Sequence, residues 1–193
     1  MLEEARDLGF LGPGPVEQHL ANAAGFAAAV PRVPDRALDL GSGGGVPGLI
    51  LARSWPDSWW VLLDSMRRRC DFLRHAVDEL GVAARVEVRE ARAEEAGRDR
   101  ELRQTLDLVT ARSFGHPAVT AECAAPFLCV GGTLLVSEPP EGASRWDEVG
   151  VLGLQDGGVV ASPSTHIRRL WQMSACPDRY PRRVGVPEKR PLW

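Results

Sequence analysis

The feature that most constrains the fold is a glycine-rich segment placed directly after a short apolar run. The run ends Ala-Leu-Asp39-Leu, and five glycines follow within residues 41–48. A helix-compatible stretch, Leu-Ile-Leu-Ala, begins at Leu49. This order of strand, glycine loop and helix is typical of the nucleotide-binding corner of a Rossmann-like sheet, where glycine lets the backbone approach a ligand closely. The segment therefore predicts an α/β fold with a nucleotide-type ligand.

The spacing of these glycines narrows the choice of ligand. Counted from Gly41, the sixth position of Gly-x-Gly-x-x-Gly is Val46, and no Gly-Lys-Ser/Thr ending follows. We therefore expect a nucleoside ligand without a pyrophosphate, and S-adenosylmethionine is the leading candidate. Cofactor-binding residues are expected here at Asp39, Gly41, Ser42, Gly43 and Gly45. The N–H of Val46, at the predicted start of the helix, suits the cofactor's carboxylate.

Strands and helices alternate along the middle of the chain. A helix is predicted at 17–30, and the later elements follow the apolar patterns. The predicted strands lie at 36–40, 59–64, 85–89, 106–111 and 132–137, and the helices at 46–54, 66–80 and 117–128, with a helix-compatible stretch at 93–104. This alternation predicts a parallel sheet with helices on both faces. Late strands at 151–154 and 165–173, joined by a Gly157-Gly158 turn, predict an antiparallel edge, which by analogy is the plan of a class I methyltransferase.

Length and composition predict a single domain over residues 1–193. Within it we expect an N-terminal helical extension (1–35), a Rossmann-like core (36–175) and a basic tail (176–193). No apolar run approaches the roughly 20 residues that a membrane-spanning helix needs. The four cysteines have no Cys-x-x-Cys spacing, which favours reduced thiols over a metal site. We therefore expect a cytoplasmic protein without a metal or a membrane partner.

Polar residues after the second predicted strand form the next candidate site. Asp64 and Ser65 end the hydrophobic run, and Asp64 lies 19 residues after Gly45. A carboxylate at this place can accept hydrogen bonds from both ribose hydroxyls. The alternative is that Asp64 or Ser65 caps the following helix. With the glycine loop in place, ribose binding is favoured.

The ends of the third and fourth strands add weaker candidates. Ala93 and Glu94 follow the third strand, where backbone amides and a nearby acid commonly bind adenine, although the same residues could start a solvated helix. Arg112 follows the fourth strand, in a loop expected to face cofactor and substrate. Exposed arginines are common in proteins, so Arg112 by itself is weak evidence for a binding site.

Charge is distributed unevenly along the chain. Residues 166–193 contain seven lysine or arginine and two acidic residues, a balance of +5, whereas the whole chain carries −3. A basic end on an acidic body indicates an anionic partner, of which nucleic acid is the obvious case. A solvated tail is the alternative interpretation.

Five segments in order resemble the GidB family, the small-subunit ribosomal RNA methyltransferases that make 7-methylguanosine from S-adenosylmethionine. They are Asp39-Leu-Gly-Ser-Gly-Gly-Gly-Val-Pro-Gly48, Leu62-Leu-Asp-Ser65, Arg92-Ala-Glu-Glu95, Asp107-Leu-Val-Thr-Ala-Arg112 and the ending that starts at Cys176. The Val-Pro-Gly turn and the Tyr-Pro-Arg-Arg ending are the most particular to that family. The resemblance implies that the cofactor positions include Gly41, Val46, Ala93, Glu94 and Arg112.

The resemblance also implies a role for the tail, in contact with ribosomal RNA or the small ribosomal subunit. The candidate RNA contacts are Tyr180, which can stack on a base, and the cations Arg182, Arg183, Lys189 and Arg190. A proline-rich basic tail can instead be disordered or cover the body of the fold.

Three departures from the family pattern concern the RNA side. The usual N-terminal Trp-Asn segment is missing, and a His-x-x-Asp-Ser-Leu signature is eroded to His19-Leu-Ala-Asn22. A strand that normally ends Lys-Gly ends here at Ser137-Glu138. An acid in place of a lysine is unfavourable beside a phosphate backbone.

The chemistry of guanine N7 suits a chain whose histidines are scattered. N7 has a lone pair and no proton, so its direct attack on a methyl donor needs no general base, and alignment is the main requirement. The resemblance implies this reaction on 16S ribosomal RNA. Two alternatives stay open: a diverged methyltransferase for another RNA or a small molecule, and a non-catalytic relative that binds cofactor or RNA.

Overall fold

The computed structural model describes residues 1–139, 146–162 and 165–193. Seven strands form one sheet in the order β3-β2-β1-β4-β5-β7-β6. The strands are β1 (Arg36–Leu40), β2 (Trp59–Asp64), β3 (Val86–Glu90), β4 (Leu106–Ala111), β5 (Leu128–Ser137), β6 (Leu154–Ser162) and β7 (Thr165–Gln172). The first five are parallel, and β7 and β6 add an antiparallel edge. The predicted class I methyltransferase architecture is confirmed.

Helices cover both faces of the parallel strands. They are α1 (Leu2–Asp7), α2 (Val16–Ala29), α3 (Gly48–Ser54), α4 (Arg67–Glu79), α5 (Ala93–Ala96), α6 (Pro117–Ala124) and α7 (Val186–Lys189). Successive residues of β1 and β2 point to opposite faces: Leu38 and Val61 belong to one buried cluster, and Ala37 and Trp60 to the other. Burial on both faces explains why these strands read as nearly continuous apolar runs.

The strand order reverses between β1 and β4, and this reversal positions the site. From β1 the chain adds β2 and β3 on one side, then returns to place β4 on the other. The loops after β1 and β4 therefore diverge and leave a crevice at the carboxyl ends of the strands. None of the helices in the described ranges is long and apolar enough to span a membrane.

Helix ends differ from the predictions where proline or glycine interrupts the pattern. The helix predicted at 117–128 ends at Ala124 and continues as a 3₁₀ turn, Ala125–Phe127, because Pro126 has no N–H to donate. The stretch 93–104 is helical only over α5, which ends at Ala96 with Gly97 as its C-cap. Helix α3 begins at Gly48 rather than Val46, because the chain first turns through Gly45 and Val46.

The Gly157-Gly158 turn predicted between the late strands is wrong. β6 continues through both glycines, and the pairing register with β7 shifts between Asp156 and Val159. Gly158 has φ +80° and its N–H donates to Asp156 Oδ1 at 2.9 Å, so these glycines form a bulge within the strand. The β6–β7 connection at 163–164 lies outside the described residues.

Candidate functional site

A cleft follows the carboxyl ends of the parallel strands, where the sequence places its candidate residues. It consists of two adjoining cavities of about 480 and 350 Å³, which share Gly41, Arg69 and Ser113 in their walls. The larger is bounded by the glycine loop, residues 9–13 and helix α2. The smaller is bounded by the ends of β2 and β3, α5 and the C-terminal tail. We call them the strap cavity and the nucleoside cavity, and residues 9–13 the N-terminal strap.

The glycine loop is held by the neighbouring strand. The N–H groups of Gly41 and Ser42 both donate to the carbonyl of Leu63, at 2.8 and 3.0 Å. Gly41 has φ +72°, and a side chain there would collide with the ring of Phe114, 2.7 Å from the added carbon. The Ser42 hydroxyl donates to the Asp39 carbonyl at 2.9 Å, so it is used within the loop itself.

Asp39 lies beneath this loop rather than in the cleft. Its side chain is buried and accepts from the Thr110 hydroxyl at 2.7 Å and from the first N–H of α3, that of Gly48, at 3.1 Å. A β-carbon on Gly48 would collide with the Asp39 side chain, which explains the glycine there. Burial raises the pKa of Asp39 from 3.8 to about 6, against the opposing effect of these hydrogen bonds and of Arg112. Asp39 therefore shapes the loop from below.

Asp64 joins the end of β2 to the loop. Its Oδ2 accepts from the Gly43 N–H at 3.0 Å, and its Oδ1 accepts from the Met66 N–H at 2.8 Å, just before α4. Arg69 approaches Oδ2 at 3.6 Å. The two interpretations of Asp64 are thus compatible, because a carboxylate that organises the start of α4 also lines the nucleoside cavity, together with exposed Ser65.

Ala93 and Glu94 lie at the far wall of the nucleoside cavity. Ala93 is the first residue of α5, so its N–H has no partner within the helix. Glu94 is buried and its Oε1 accepts from the N–H of Gly185, in the tail, at 2.9 Å. Phe114 and Val119 supply apolar surface to the same cavity. A cavity that combines the Asp64 carboxylate, the Ala93 N–H and the apolar surface of Phe114 and Val119 is chemically suited to adenosine.

Arg112 projects into the strap cavity and meets a residue that sequence reasoning missed. Its NH1 lies 3.0 Å from Nδ1 of His19, on α2, and His19 Nε2 lies 3.2 Å from the Gly12 carbonyl. Burial lowers the pKa of Arg112, partly offset by Asp39. Burial and then Arg112 lower the pKa of His19, against the Gly12 hydrogen bond. The eroded signature around His19 was the available signal.

The tail is docked on the body of the fold. Tyr180 is 7% exposed, so its ring offers little surface to a base. The Arg182 guanidinium forms a bidentate pair with Glu122, at 2.8 and 2.6 Å, and Glu122 is fully buried. Arg103 donates to the carbonyls of Tyr180 and Cys176 at 2.9 and 3.1 Å. Of the interpretations offered for the tail, the one in which it covers the body of the fold therefore describes Tyr180 and Arg182.

The remaining tail cations lie at the surface. Arg183, Lys189 and Arg190 are exposed, and the last two belong to or follow α7. Glu188, also in α7, borders the nucleoside cavity. The tail thus brings together a wall of the cleft and four exposed positive charges, the fourth being Arg179, whose guanidinium lies over the Tyr180 ring.

The carboxylate of Glu138, which the sequence suggested would be an unfavourable charge beside RNA, is paired within the fold. Its Oε2 accepts from Arg168 Nε at 2.8 Å and its Oε1 from Trp146 Nε1 at 2.5 Å. Arg168 also pairs with Asp156 at 2.6 Å. Because a neighbouring strand supplies the opposite charge, Glu138 does not present an isolated negative charge beside Ser137. Across 1–139, 146–162 and 165–193, no cluster of three or more potential ligands could hold a metal ion.

Known proteins similar to this chain point to one family. The family model described as rRNA small subunit methyltransferase G, GidB, matches residues 14–148. A "Ribosomal RNA small subunit methyltransferase G" of Rubrobacter xylanophilus is 36% identical over 189 residues, covering 91% of this chain and 72% of the relative. One of the same name from a Synechococcus species is 33% identical over 174 residues, 82% of this chain and 71% of the relative.

A solved structure supports the architecture independently. A SAM-dependent methyltransferase from Aquifex aeolicus superposes with a TM-score of 0.63 and 14% identity, over 89% of this chain and 97% of that one. At this identity the likeness concerns the fold alone.

Proposed function

The chain belongs to the GidB family of S-adenosylmethionine-dependent methyltransferases, and we propose that it methylates N7 of a guanine in 16S ribosomal RNA. The observation that carries this proposal is the cleft at the strand-order reversal, lined by Asp64, α5 and Arg112. Asp64, α5 and Arg112 all lie within the segment that the family model matches, residues 14–148. A single domain over 1–193, located in the cytoplasm, is part of the proposal.

The residues around the nucleoside cavity fit the nucleoside half of S-adenosylmethionine. Asp64 retains lone pairs on both oxygens for the ribose hydroxyls, since each oxygen accepts one backbone N–H. The Ala93 N–H and the apolar surface of Phe114 would hold adenine. The cavity volume of about 350 Å³ lies in the range of small-molecule sites.

The other half of the cofactor would lie along the glycine loop. Gly41, Gly43, Gly45 and Val46 provide backbone surface there, and Ser42 and Asp39 shape it from beneath. Arg112, with its guanidinium in the strap cavity, supplies the positive charge that a carboxylate requires. We assign this carboxylate-binding role to Arg112.

Alignment is the chemical task left to the protein. When bound, S-adenosylmethionine supplies an electrophilic methyl group, and guanine N7 supplies a lone pair that carries no proton. The chain therefore needs no base to remove a proton, and its residues act by fixing the positions of the two reactants. Such alignment can lower the activation barrier by about 7–11 kcal/mol. The partly buried His19–Arg112 contact and the hydrogen-bonded loop over Asp39 suit that task.

Exposed cations beside the cleft would contact the RNA backbone. Arg183, Lys189 and Arg190 remain as candidates for this role, whereas the burial of Tyr180 and the pairing of Arg182 with Glu122 favour a structural role for those two. Pairing of Glu138 with Arg168, which Arg168 shares with Asp156, reduces the electrostatic objection to RNA near Ser137. The small ribosomal subunit or its RNA is accordingly the proposed partner.

The decisive experiment measures methyl transfer to defined substrates. Small ribosomal subunits and naked 16S RNA from cells lacking the gene are incubated with the purified protein and methyl-labelled S-adenosylmethionine. We expect incorporation at one guanine, detected as 7-methylguanosine by base-specific chain cleavage. Label found only on another RNA or a small molecule would contradict the proposal. Calorimetry that shows cofactor binding without any transfer would favour the non-catalytic alternative.

A further inference from the structure

The contact between His19 and Arg112 determines which nitrogen of the histidine carries a proton. A guanidinium can only donate hydrogen bonds, so Nδ1 of His19 must accept from Arg112 NH1 at 3.0 Å. A carbonyl can only accept, so Nε2 must donate to Gly12 at 3.2 Å. His19 is therefore neutral, with its single proton on Nε2. In this form both ring nitrogens have partners.

His19 thereby connects three separate segments around the strap cavity. It lies on α2, Gly12 belongs to the N-terminal strap, and Arg112 follows β4. The strap itself packs on the glycine loop, since Leu11 leaves too little room for a side chain at Gly44. The hydrogen bonds of a single imidazole ring thus join the strap to the guanidinium.

We propose that neutral His19 is a positioning residue that aims the Arg112 guanidinium into the cleft and ties it to the N-terminal strap. A proton on Nδ1 would remove the acceptor and set two positive groups against each other, so protonation would release Arg112. The inference rests on the proposed function only in the consequence for cofactor binding. The tautomer and its link to Arg112 are properties of the free protein.

Other charged groups around this ring bear on its protonation. Asp39, on β1 below the loop, interacts electrostatically with Arg112, and Arg69, on α4, lines the same cavity. Asn22 lies on the same helix as His19 and also borders the cavity. Burial is the main cause that lowers the pKa of His19, and the positive charge of Arg112 is the second. Asp39, whose pKa is about 6, titrates in a nearby range and must be separated from His19.

Nuclear magnetic resonance of the free protein tests the tautomer directly. Two-bond proton–nitrogen correlations of the imidazole distinguish a proton on Nε2 from one on Nδ1. We expect the Nε2–H form at pH 7.5, titrating below the ordinary value of 6.5, and Arg112→Ala should raise this midpoint. A ring protonated on Nδ1, or a midpoint unaffected by Arg112→Ala, would overturn the proposal whether or not the protein methylates RNA.

Two substitutions of His19 test its action on the cleft. His19→Gln retains an acceptor and a donor without titrating, whereas His19→Ala removes both. Calorimetry at pH 7.5 should show S-adenosylmethionine bound about tenfold more weakly by His19→Ala, the scale of a missing hydrogen bond to a charged group. His19→Gln should restore most of the affinity. His75→Gln, at an exposed histidine that borders neither cavity of the cleft, is the control.

The pH dependence separates His19 from Asp39. The ratio of wild-type to His19→Gln affinities should fall as the pH decreases below 6.5, and Asp39 cancels because both proteins contain it. A constant ratio, or a His19→Ala variant indistinguishable from the His75→Gln control, would show that His19 does not position Arg112. If S-adenosylmethionine binds neither wild type nor variants, the proposed function fails while the tautomer measurement stands on its own.

Discussion

The glycine loop and the C-terminal tail border the same cleft, but they reach it by different physical routes. The loop is fixed by adjacent β2, through the Leu63 carbonyl and the Asp64 carboxylate, within a single strand–helix–strand unit. The tail is fixed from a distance, by Glu122, Glu94 and Arg103, about 60 to 90 residues away. The glycine loop is thus a locally built wall of the cleft, and its sequence pattern reveals it. The tail is a docked wall, and it depends on distant partner residues that the sequence does not identify.

The docked wall gives the largest expected effect on stability. Arg182→Ala leaves Glu122 buried without its guanidinium partner, and the broken pair should lower the free energy of unfolding by about 3 kcal/mol. Urea denaturation measures this decrease, and limited proteolysis should cleave the tail faster. Arg183→Ala, one residue away and exposed, is the matched control and should change stability by less than about 0.5 kcal/mol. Equal stability of the two variants would mean that the tail is not held by this pair.

The locally built wall is tested at Asp64. Asp64→Ala removes the acceptor for Gly43 and the proposed acceptor for ribose, and should weaken S-adenosylmethionine binding by about 1–3 kcal/mol in calorimetry. Asp78→Ala, at an exposed carboxylate on α4, serves as the control. Unaltered affinity in Asp64→Ala would mean that the ribose lies elsewhere.

The buried carboxylate below the loop should make stability depend on pH. Because the fold raises the pKa of Asp39 to about 6, the native state holds that proton more tightly than the unfolded chain. This contribution to stability is complete below about pH 3.8 and is lost as the pH rises through about 6. Relative to Asp39→Asn, wild type should lose about 2 kcal/mol between about pH 4.5 and pH 7. A difference in unfolding free energy that is independent of pH would contradict the raised pKa.

The exposed part of the tail gives the smallest expected effect, and one confined to RNA. Replacing Arg183, Lys189 and Arg190 by alanine should leave cofactor affinity unchanged and weaken binding to 16S RNA. The slope of log affinity against log salt should decrease by about 1 for each phosphate that the variant no longer neutralises. Filter binding over a series of salt concentrations measures this slope.

The control for this triple variant removes the same charge elsewhere. Arg32, Arg53 and Arg100 are exposed and border neither cavity of the cleft. Their replacement by alanine should affect the slope less than the tail variant does. Equal effects of the two triple variants would indicate a response to net charge alone.

The sequence was most informative where structure is determined by near neighbours. The bounds of β1, β2 and β4 agree with the predictions because their apolar runs are buried on both faces. The glycine loop and Asp64 were located for the same reason, since strand, loop and helix form one local unit. The cofactor roles of the site residues remain predictions.

The sequence did not predict side-chain contacts between residues that are far apart in the chain. His19 lies 93 residues from Arg112, so no local pattern could reveal that they meet. Arg182 has the same charge as Arg183, and only the position of Glu122 distinguishes them. The Gly157-Gly158 pair illustrates another limit, because a bulge and a turn use glycine for the same positive φ.

That bulge has a consequence for how the protein behaves at high concentration. β6 is an outer strand of the sheet, and an outer strand exposes backbone groups to which another chain could add. Here the Gly158 N–H is turned onto Asp156, and the register shift interrupts a straight run of donors and acceptors. At the opposite margin, β3 carries Glu87 and Arg89, charged side chains that disfavour strand addition. Both margins thus disfavour strand-by-strand aggregation, even where the protein is concentrated.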